Sequence, residues 1–278
     1  MKEVDIRKIF KEKNPRLAPY IPGFVYSYLD RILHVDFINY FLEKHGDKRG
    51  VEFAQASIEE FNISKEIIGF EKIPDKKDII FASNHPLGGF DGMLLISILG
   101  KKFPGIKVLV NDILMNIENM DEIFVPINKH GKQSSEAARE IEEIFQQGLP
   151  VLTFPSGLVS RKRKGVIRDP EWKKNFIAKA VQHKRDIIPV HVSGRCTDFF
   201  YRLANLRKIL GIKSNIEMFY LPDETYKHRG EHIRIIFGEP ISWEMIDKRM
   251  NYAEWAGEIQ EHVYALPASP ELSFKPVY

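Results

Sequence analysis

The chain has 278 residues, 44% of them apolar and 28% charged, which supports a sizeable core and excludes a disordered chain. Its 41 Lys and Arg nearly balance its 38 Asp and Glu, and the net charge of +3 excludes a dedicated nucleic-acid-binding protein. The single cysteine, Cys196, excludes an internal disulfide and a cysteine-based zinc site. The charged N-terminus lacks the apolar core of a signal peptide, and no apolar run reaches the ~18 residues of a membrane span. Together these features predict a soluble or peripheral cytoplasmic protein.

Residues 1–64 favour helices. Apolar and aromatic runs occupy residues 24–33 and 37–42, and a further helix face recurs at steps of three and four, at Val51, Ala54, Ile58 and Phe61. Two interpretations stay open for this region, a helical cap on the core or a membrane-facing surface. The best candidates for membrane contact are the aromatic and apolar residues within 17–42: Tyr20, Ile21, Phe24, Tyr26, Tyr28, Phe37, Tyr40 and Phe41.

From residue 78 onward, short β-rich runs alternate with helical patterns. Strands are predicted at 78–83, 106–111, 123–127, 150–154, 186–192, 215–220 and 232–237. Helices are predicted around 93–99, 135–147, 172–184, 198–210 and 252–264. Such alternation predicts an α/β fold, with a largely parallel or mixed sheet flanked by helices. We therefore divide the chain into an N-terminal helical extension, residues 1–64, and an α/β domain, residues 65–278.

The most informative segment joins an apolar strand to an apolar helix and contains Asn84, His85 and Asp91. His85 is expected at the carboxyl end of its strand, where ligands collect in α/β sheets. A neutral imidazole there can take a proton from a hydroxyl, and a carboxylate six residues later can fix its tautomer. The alternative is an Asn-His turn whose Asp91 only caps the following helix.

A second strand runs into Phe154, Pro155, Ser156 and Gly157, and four consecutive cations follow at residues 161–164. Four adjacent like charges repel one another, so they form either an anion site or a solvated loop. Two further predicted strands are followed by polar or small residues. The first leads to Lys129 and Lys132, and the second ends at Gly194; taken alone, each segment is mostly structural.

In this order, the four segments resemble the glycerophosphate and lysophosphatidate acyltransferase family over about residues 78–195. The resemblance implies an enzyme of membrane lipid biosynthesis and phospholipid metabolism, peripheral at the cytoplasmic face of the membrane. Such an enzyme moves a fatty acyl group to a lipid hydroxyl. The donor is acyl carrier protein or coenzyme A as a thioester, and no other cofactor and no metal is implied.

The resemblance also implies roles for individual residues. His85 becomes the general base and Asp91 its partner, while backbone N–H groups near Gly88 and Gly89 stabilise the oxyanion. The block that binds the acceptor phosphate falls on Phe154, Pro155, Gly157 and Arg161. The full set of predicted substrate-binding residues is Asn84, Gly88, Gly89, Lys129, Phe154, Pro155, Ser156, Gly157, Arg161 and Arg163.

Three departures from the family pattern fall mainly on the acceptor side. Five residues separate His85 from Asp91, one more than in the family, and Ser156 stands where the family has Glu. The second-block Arg is not evident, so Lys129 or Lys132 would stand in for it. The chain therefore resembles a divergent branch that acylates lyso-aminolipids such as ornithine or glycine lipids. Thioester hydrolysis at the same site and a non-catalytic lipid-binding protein stay open as alternatives.

Overall fold

A sheet of seven strands organises the computed structural model, which describes residues 4–13, 15–16, 18–127 and 135–277. In chain order the strands are β1 (Ser64–Ile68), β2 (Ile79–Ser83), β3 (Lys107–Val110), β4 (Phe124–Pro126), β5 (Val151–Thr153), β6 (Arg161–Arg163), β7 (Val166–Arg168), β8 (Asp186–Val192) and β9 (His232–Phe237). The sheet order is β1-β9-β8-β2-β5-β3-β4, and only the β8–β9 pair is antiparallel. Strands β6 and β7 form a separate antiparallel hairpin. The predicted fold class, a largely parallel or mixed sheet flanked by helices, is confirmed.

Helices cover both faces of this sheet. They are α1 (Ile6–Lys13), α2 (Gly23–Leu33), α3 (Val35–His45), α4 (Gly50–Glu60), α5 (Gly89–Lys102), α6 (Ser135–Gln146), α7 (Asn175–His183), α8 (Asp198–Ile209), α9 (Leu221–Lys227) and α10 (Tyr252–Ala265). The predicted helices therefore form, with bounds shifted by a few residues. Among the described residues, no helix is both long and apolar enough to cross a membrane.

The central strand β2 shows why the sheet needs helices on both sides. All five of its residues are buried, and side chains alternate between the two faces of a strand. Ile79 and Phe81 join the core beneath α3, α4 and α5, whereas Ile80 and Ala82 join the core beneath α6, α7 and α10. Burial on both faces is typical of parallel sheets and accounts for the continuous apolar run in the sequence.

The prediction of a strand at 215–220 is wrong. Residues Ile216–Tyr220 form a 3-10 helix that leads directly into α9, which has Pro222 in its first turn. The buried Glu217 carboxylate holds this segment against two arginines, so its conformation depends on distant partners and not on local β-propensity. Strand β1, which the helical interpretation of residues 1–64 did not anticipate, is an exposed edge strand with four of its five residues exposed.

The carboxyl ends of β2, β5 and β8 meet at one edge of the sheet, since these strands run in the same direction. Two long-range contacts join the loops that follow them. The Asn84 side chain bonds to Val192 at the end of β8, and the Ser160 N–H donates to the His85 carbonyl oxygen at 2.9 Å. The fold thus brings together segments that lie far apart in the sequence.

Two helical glycines give a matched test of the packing between α4 and α5. A Cβ added at Gly100 would overlap the Val51 side chain, whereas a Cβ at Gly257 in α10 would meet no atom within 4 Å. We expect Gly100→Ala to lower the free energy of unfolding by about 1–3 kcal/mol. Gly257→Ala should instead raise it by up to about 1 kcal/mol, because alanine favours helices. Urea denaturation of both variants measures the difference; equal effects would contradict this packing.

Candidate active site

His85 and Asp91 form a hydrogen-bonded pair at the start of α5. The distance from His85 Nδ1 to Asp91 Oδ2 is 2.9 Å, and the Leu87 N–H donates to the same oxygen at 2.9 Å. A carboxylate partner favours the proton on Nδ1, which leaves Nε2 as a proton acceptor. Asp91 is fully buried, and this burial raises the pKa of its carboxyl, while the hydrogen bonds from His85 and Leu87 oppose that shift. The expected contact between the two side chains is confirmed.

Gly88 accommodates the additional residue between His85 and Asp91. Its backbone angles, φ 71° and ψ −140°, lie in a region that only glycine adopts without strain. A Cβ there would also lie 3.0 Å from Leu221 Cδ2. The chain can therefore turn sharply before Gly89 begins α5, which returns Asp91 to the imidazole despite the longer spacing.

Phe154 forms one wall of the site. Its ring stacks on the His85 ring, with centroids 4.2 Å apart and planes inclined by 28°. The turn that follows is closed by the Gly157 N–H, which donates to the Phe154 carbonyl oxygen, and by a positive φ at Gly157. Ser156 is buried and its hydroxyl donates to the Leu158 carbonyl oxygen, so it stabilises its own loop. Pro155, also buried, accepts the Lys173 N–H on its carbonyl oxygen.

Arg161 is held inside the protein. Its guanidinium donates to the Val159 carbonyl oxygen at 2.8 Å and to Glu217 Oε1 at 2.9 Å. The second oxygen of Glu217 accepts from Arg207 Nε at 2.5 Å, and all three charged side chains are buried. The guanidinium of Arg161 therefore binds partners inside the protein, where two arginines share the single carboxylate of Glu217. Arg163, two residues later, is exposed on the β6–β7 hairpin.

The other predicted binding residues divide into three groups. Asn84 connects β2 to β8 by accepting the Val192 N–H at 2.7 Å and donating to its carbonyl oxygen at 2.9 Å. Gly88 and Gly89 lie in the turn and first residue of α5, beside the dyad. Lys129, like Lys132, lies outside the residues that the structure describes.

Asp169 is a site residue that sequence reasoning missed. Its Oδ1 accepts the His85 N–H at 3.2 Å and the Ser160 hydroxyl at 2.5 Å, and its Oδ2 accepts the Trp172 indole N–H at 3.1 Å. Asp169 thereby fixes the backbone that carries the imidazole. It lies 84 residues after His85, and the sequence offered only an Asp before a proline as a signal. Over the described ranges, no cluster of three or more His, Cys, Asp or Glu side chains could hold a metal ion.

Cys196 is a poor nucleophile in this structure. Its thiol is buried and lies 3.4 Å from the Pro86 carbonyl oxygen. Burial raises the pKa of the thiol, which keeps it protonated at neutral pH.

Comparisons with known proteins identify relatives over nearly the whole chain. Residues 8–269 match a protein family described as acyltransferase. Over 264 residues, the chain is 47% identical to a lyso-glycine lipid O-acyltransferase of Bacteroides thetaiotaomicron and 44% identical to one of Phocaeicola vulgatus. These alignments cover 95% of this chain and 97% and 95% of those proteins. The crystal structure of the 1-acyl-sn-glycerophosphate (LPA) acyltransferase PlsC from Thermotoga maritima is similar with a TM-score of 0.48 and 18% identity, covering 95% of this chain and 98% of that one.

The double hydrogen bond of Asn84 predicts a structural role that stability measurements can test. Asn84→Ala leaves the buried Val192 N–H and carbonyl oxygen without these partners, so we expect the free energy of unfolding to fall by about 2–4 kcal/mol. Asn205→Ala, which removes one exposed side-chain hydrogen bond, should change it by no more than about 0.5 kcal/mol. If chemical denaturation shows the two variants to be equally stable, Asn84 does not hold the two strands together.

Proposed function

The chain belongs to the acyltransferase family, and we propose that it transfers a fatty acyl group from a thioester donor to the hydroxyl of a lyso-glycine lipid. The observation that carries this proposal is the His85–Asp91 pair, whose contact survives a spacing that differs from the family pattern. The acyl donor is acyl carrier protein or coenzyme A, and the enzyme acts as a peripheral protein at the cytoplasmic face of the membrane.

The proposed reaction needs no covalent enzyme intermediate. His85 Nε2 accepts the proton of the acceptor hydroxyl while its oxygen attacks the thioester carbonyl carbon. The tetrahedral intermediate collapses, the carbon–sulfur bond breaks, and the imidazolium returns the proton to the departing thiolate. Asp91 stabilises the imidazolium through Nδ1, which is the role expected of a carboxylate partner.

The first turn of α5 supplies candidate donors for the oxyanion. The first amide groups of a helix have no carbonyl partner within the helix, and they form the positive end of its dipole. In α5 these groups begin at Gly89, directly after the Gly88 turn and four residues beyond His85. An oxyanion that develops next to the imidazole would meet these N–H groups without a rearrangement of the backbone.

The family resemblance implies a site for an acceptor phosphate near Ser156 and Arg161. Two features there support an acceptor that has no phosphate. The guanidinium of Arg161 is buried and donates to the Val159 carbonyl oxygen and to Glu217, so these donors are already occupied inside the protein. Ser156 replaces the family's glutamate and bonds within its own loop. The relatives that match across nearly the whole chain are lyso-glycine lipid O-acyltransferases, which agrees with an aminolipid acceptor.

The role of His85 is tested by its replacement. His85→Ala should lower kcat for acyl transfer roughly 10²–10⁴-fold, because the acceptor hydroxyl loses its general base. His232→Ala removes an exposed histidine from β9 and serves as the matched control, with activity close to that of the unmodified protein. Release of thiol and formation of ester are measured together, which separates transfer from thioester hydrolysis. Near-normal ester formation by a folded His85→Ala variant would contradict the mechanism.

Acceptor choice is tested with two lysolipids of equal acyl length in the same detergent. We expect kcat/KM for the lysolipid with a glycine head group to exceed that for lysophosphatidate by at least about tenfold, since one missing charged hydrogen bond accounts for that much. Arg161→Met should lower the free energy of unfolding by about 1–3 kcal/mol, because Glu217 and the Val159 carbonyl oxygen each lose a buried hydrogen bond while Arg207 still pairs with Glu217. It should leave the preference between the two acceptors unchanged. Equal or faster transfer to lysophosphatidate by the unmodified enzyme would argue against the aminolipid acceptor.

A further inference from the structure

Helix α8 and the segment after it expose an unusual number of large apolar side chains. We call this surface the α8 face and define it by Phe199, Leu206, Ile209, Leu210, Ile212 and Phe219. Ile209 is 81% exposed, so its side chain contributes almost nothing to the core. Scattered apolar residues are normal on a protein surface, but six large exposed apolar side chains in one helix and the segment after it indicate an interaction site.

Helix α2 extends the α8 face on one side. The Tyr28 and Tyr220 hydroxyls form a hydrogen bond, and the ring of Tyr220 packs edge-on against Phe199 at 5.0 Å between centroids. Phe24 lies one turn before Tyr28 on α2 and is 75% exposed. The predicted N-terminal aromatic surface therefore does not act alone. Phe24, its most exposed residue within an α-helix, lies on α2, which adjoins a surface that the C-terminal half of the chain provides.

Cations border the α8 face on the side of the β6–β7 hairpin. The Asn205 amide of α8 donates to the Lys162 carbonyl oxygen at 3.2 Å, which places the hairpin next to the helix. The exposed cations here are Arg163, Lys164, Arg202, Lys208 and Lys213, and none makes an ion pair within the described part of the chain. Burial lowers the pKa of Lys208, and the charges of Arg163, Arg161 and Arg207 lower it further. These cations repel one another, and an anionic partner would relieve that repulsion.

The α8 face is connected to the candidate active site through Leu221. This residue directly follows the 3-10 helix that carries Phe219 and Tyr220, and it begins α9. Its side chain packs against Gly88, where a Cβ would lie 3.0 Å from Leu221 Cδ2. The segment from Phe219 to Leu221 thus reaches from the exposed apolar surface to the turn between His85 and Asp91.

We propose that the α8 face, together with Phe24 and the bordering cations, docks the protein on the surface of an anionic lipid bilayer. Large apolar side chains enter the boundary between headgroups and acyl chains, while lysines and arginines pair with anionic headgroups. The exposed apolar side chains lie on three separate elements, α2, the 3-10 helix and α8, and the proposed acceptor is itself a lipid, so the observations favour the bilayer over an acidic protein partner. The inference rests on the proposed function for its lipid substrate, but the docking itself is measurable without catalysis.

The experiment uses the full chain and vesicles of phosphatidylglycerol and phosphatidylcholine in equal amounts. The double variant Ile209→Glu, Leu210→Glu should raise the apparent Kd for these vesicles by about tenfold or more, because two aliphatic side chains no longer enter the bilayer. Lys208→Glu should raise it by at least about fivefold and weaken the preference over pure phosphatidylcholine. The matched controls are Val277→Glu, at an apolar side chain that is 77% exposed near α10, and Lys248→Glu. Both controls should bind as the unmodified protein does.

Transfer to a short-chain acceptor in solution separates docking from catalysis. The face variants should retain kcat/KM within about twofold on that acceptor, since the dyad is untouched. The two proposals can fail separately. If the unmodified protein transfers no acyl group but the face variants still lose vesicle binding, the proposed function is refuted and the docking face stands. Unchanged binding by the face variants, or equal loss in the controls, overturns the docking face. Loss of binding to acyl carrier protein alone, with vesicle binding intact, overturns it as well.

Discussion

The burial of the Asp91 carboxylate is the constraint on which the candidate active site depends. A fully buried carboxylate is costly unless donors surround it, and Asp91 receives the Leu87 N–H and the His85 ring on one oxygen. Both donors precede α5, so the chain must turn back on itself between residues 85 and 91. Gly88 makes that turn possible, and the orientation of the imidazole follows from it. The turn is therefore as much a part of the site as the dyad.

A second carboxylate, Glu217, determines what becomes of the basic run at 161–164. Two buried arginines share its oxygens, so Arg161 serves the core although it begins a run of four cations. The next three cations continue along the hairpin and carry their charge toward the surface. One run of like charges thus divides into a buried structural member and outer members that can meet anionic headgroups. Loss of Glu217 would leave two buried arginines without their shared carboxylate, so this carboxylate keeps the first member of the run inside the protein.

The sequence predicts those parts of the fold that depend on local patterns. The apolar run of β2 and the three- and four-residue steps of α4 both appear in the structure. The parts that fail depend on distant partners. Residues 216–220 take their conformation from the ion pair between Glu217 and Arg161, and β1 is a strand because it pairs with β9. Within the site, the pairing of His85 and Asp91 was predictable from a familiar motif. The support from Asp169 was not, because no periodicity connects residues so far apart.

The segment from Glu217 to Leu221 unites these arguments, because its successive side chains face different parts of the molecule. Glu217 points inward to its arginines, Phe219 lies exposed on the α8 face, and Leu221 packs beside Gly88. The buried ion pair therefore anchors the same short segment that offers an apolar side chain outward and supports the turn of the dyad inward. Docking on a bilayer would then place the lipid boundary next to the imidazole without any long-range conformational change. In the proposed mechanism, a lipid hydroxyl would then reach His85 from the bilayer docked on the α8 face.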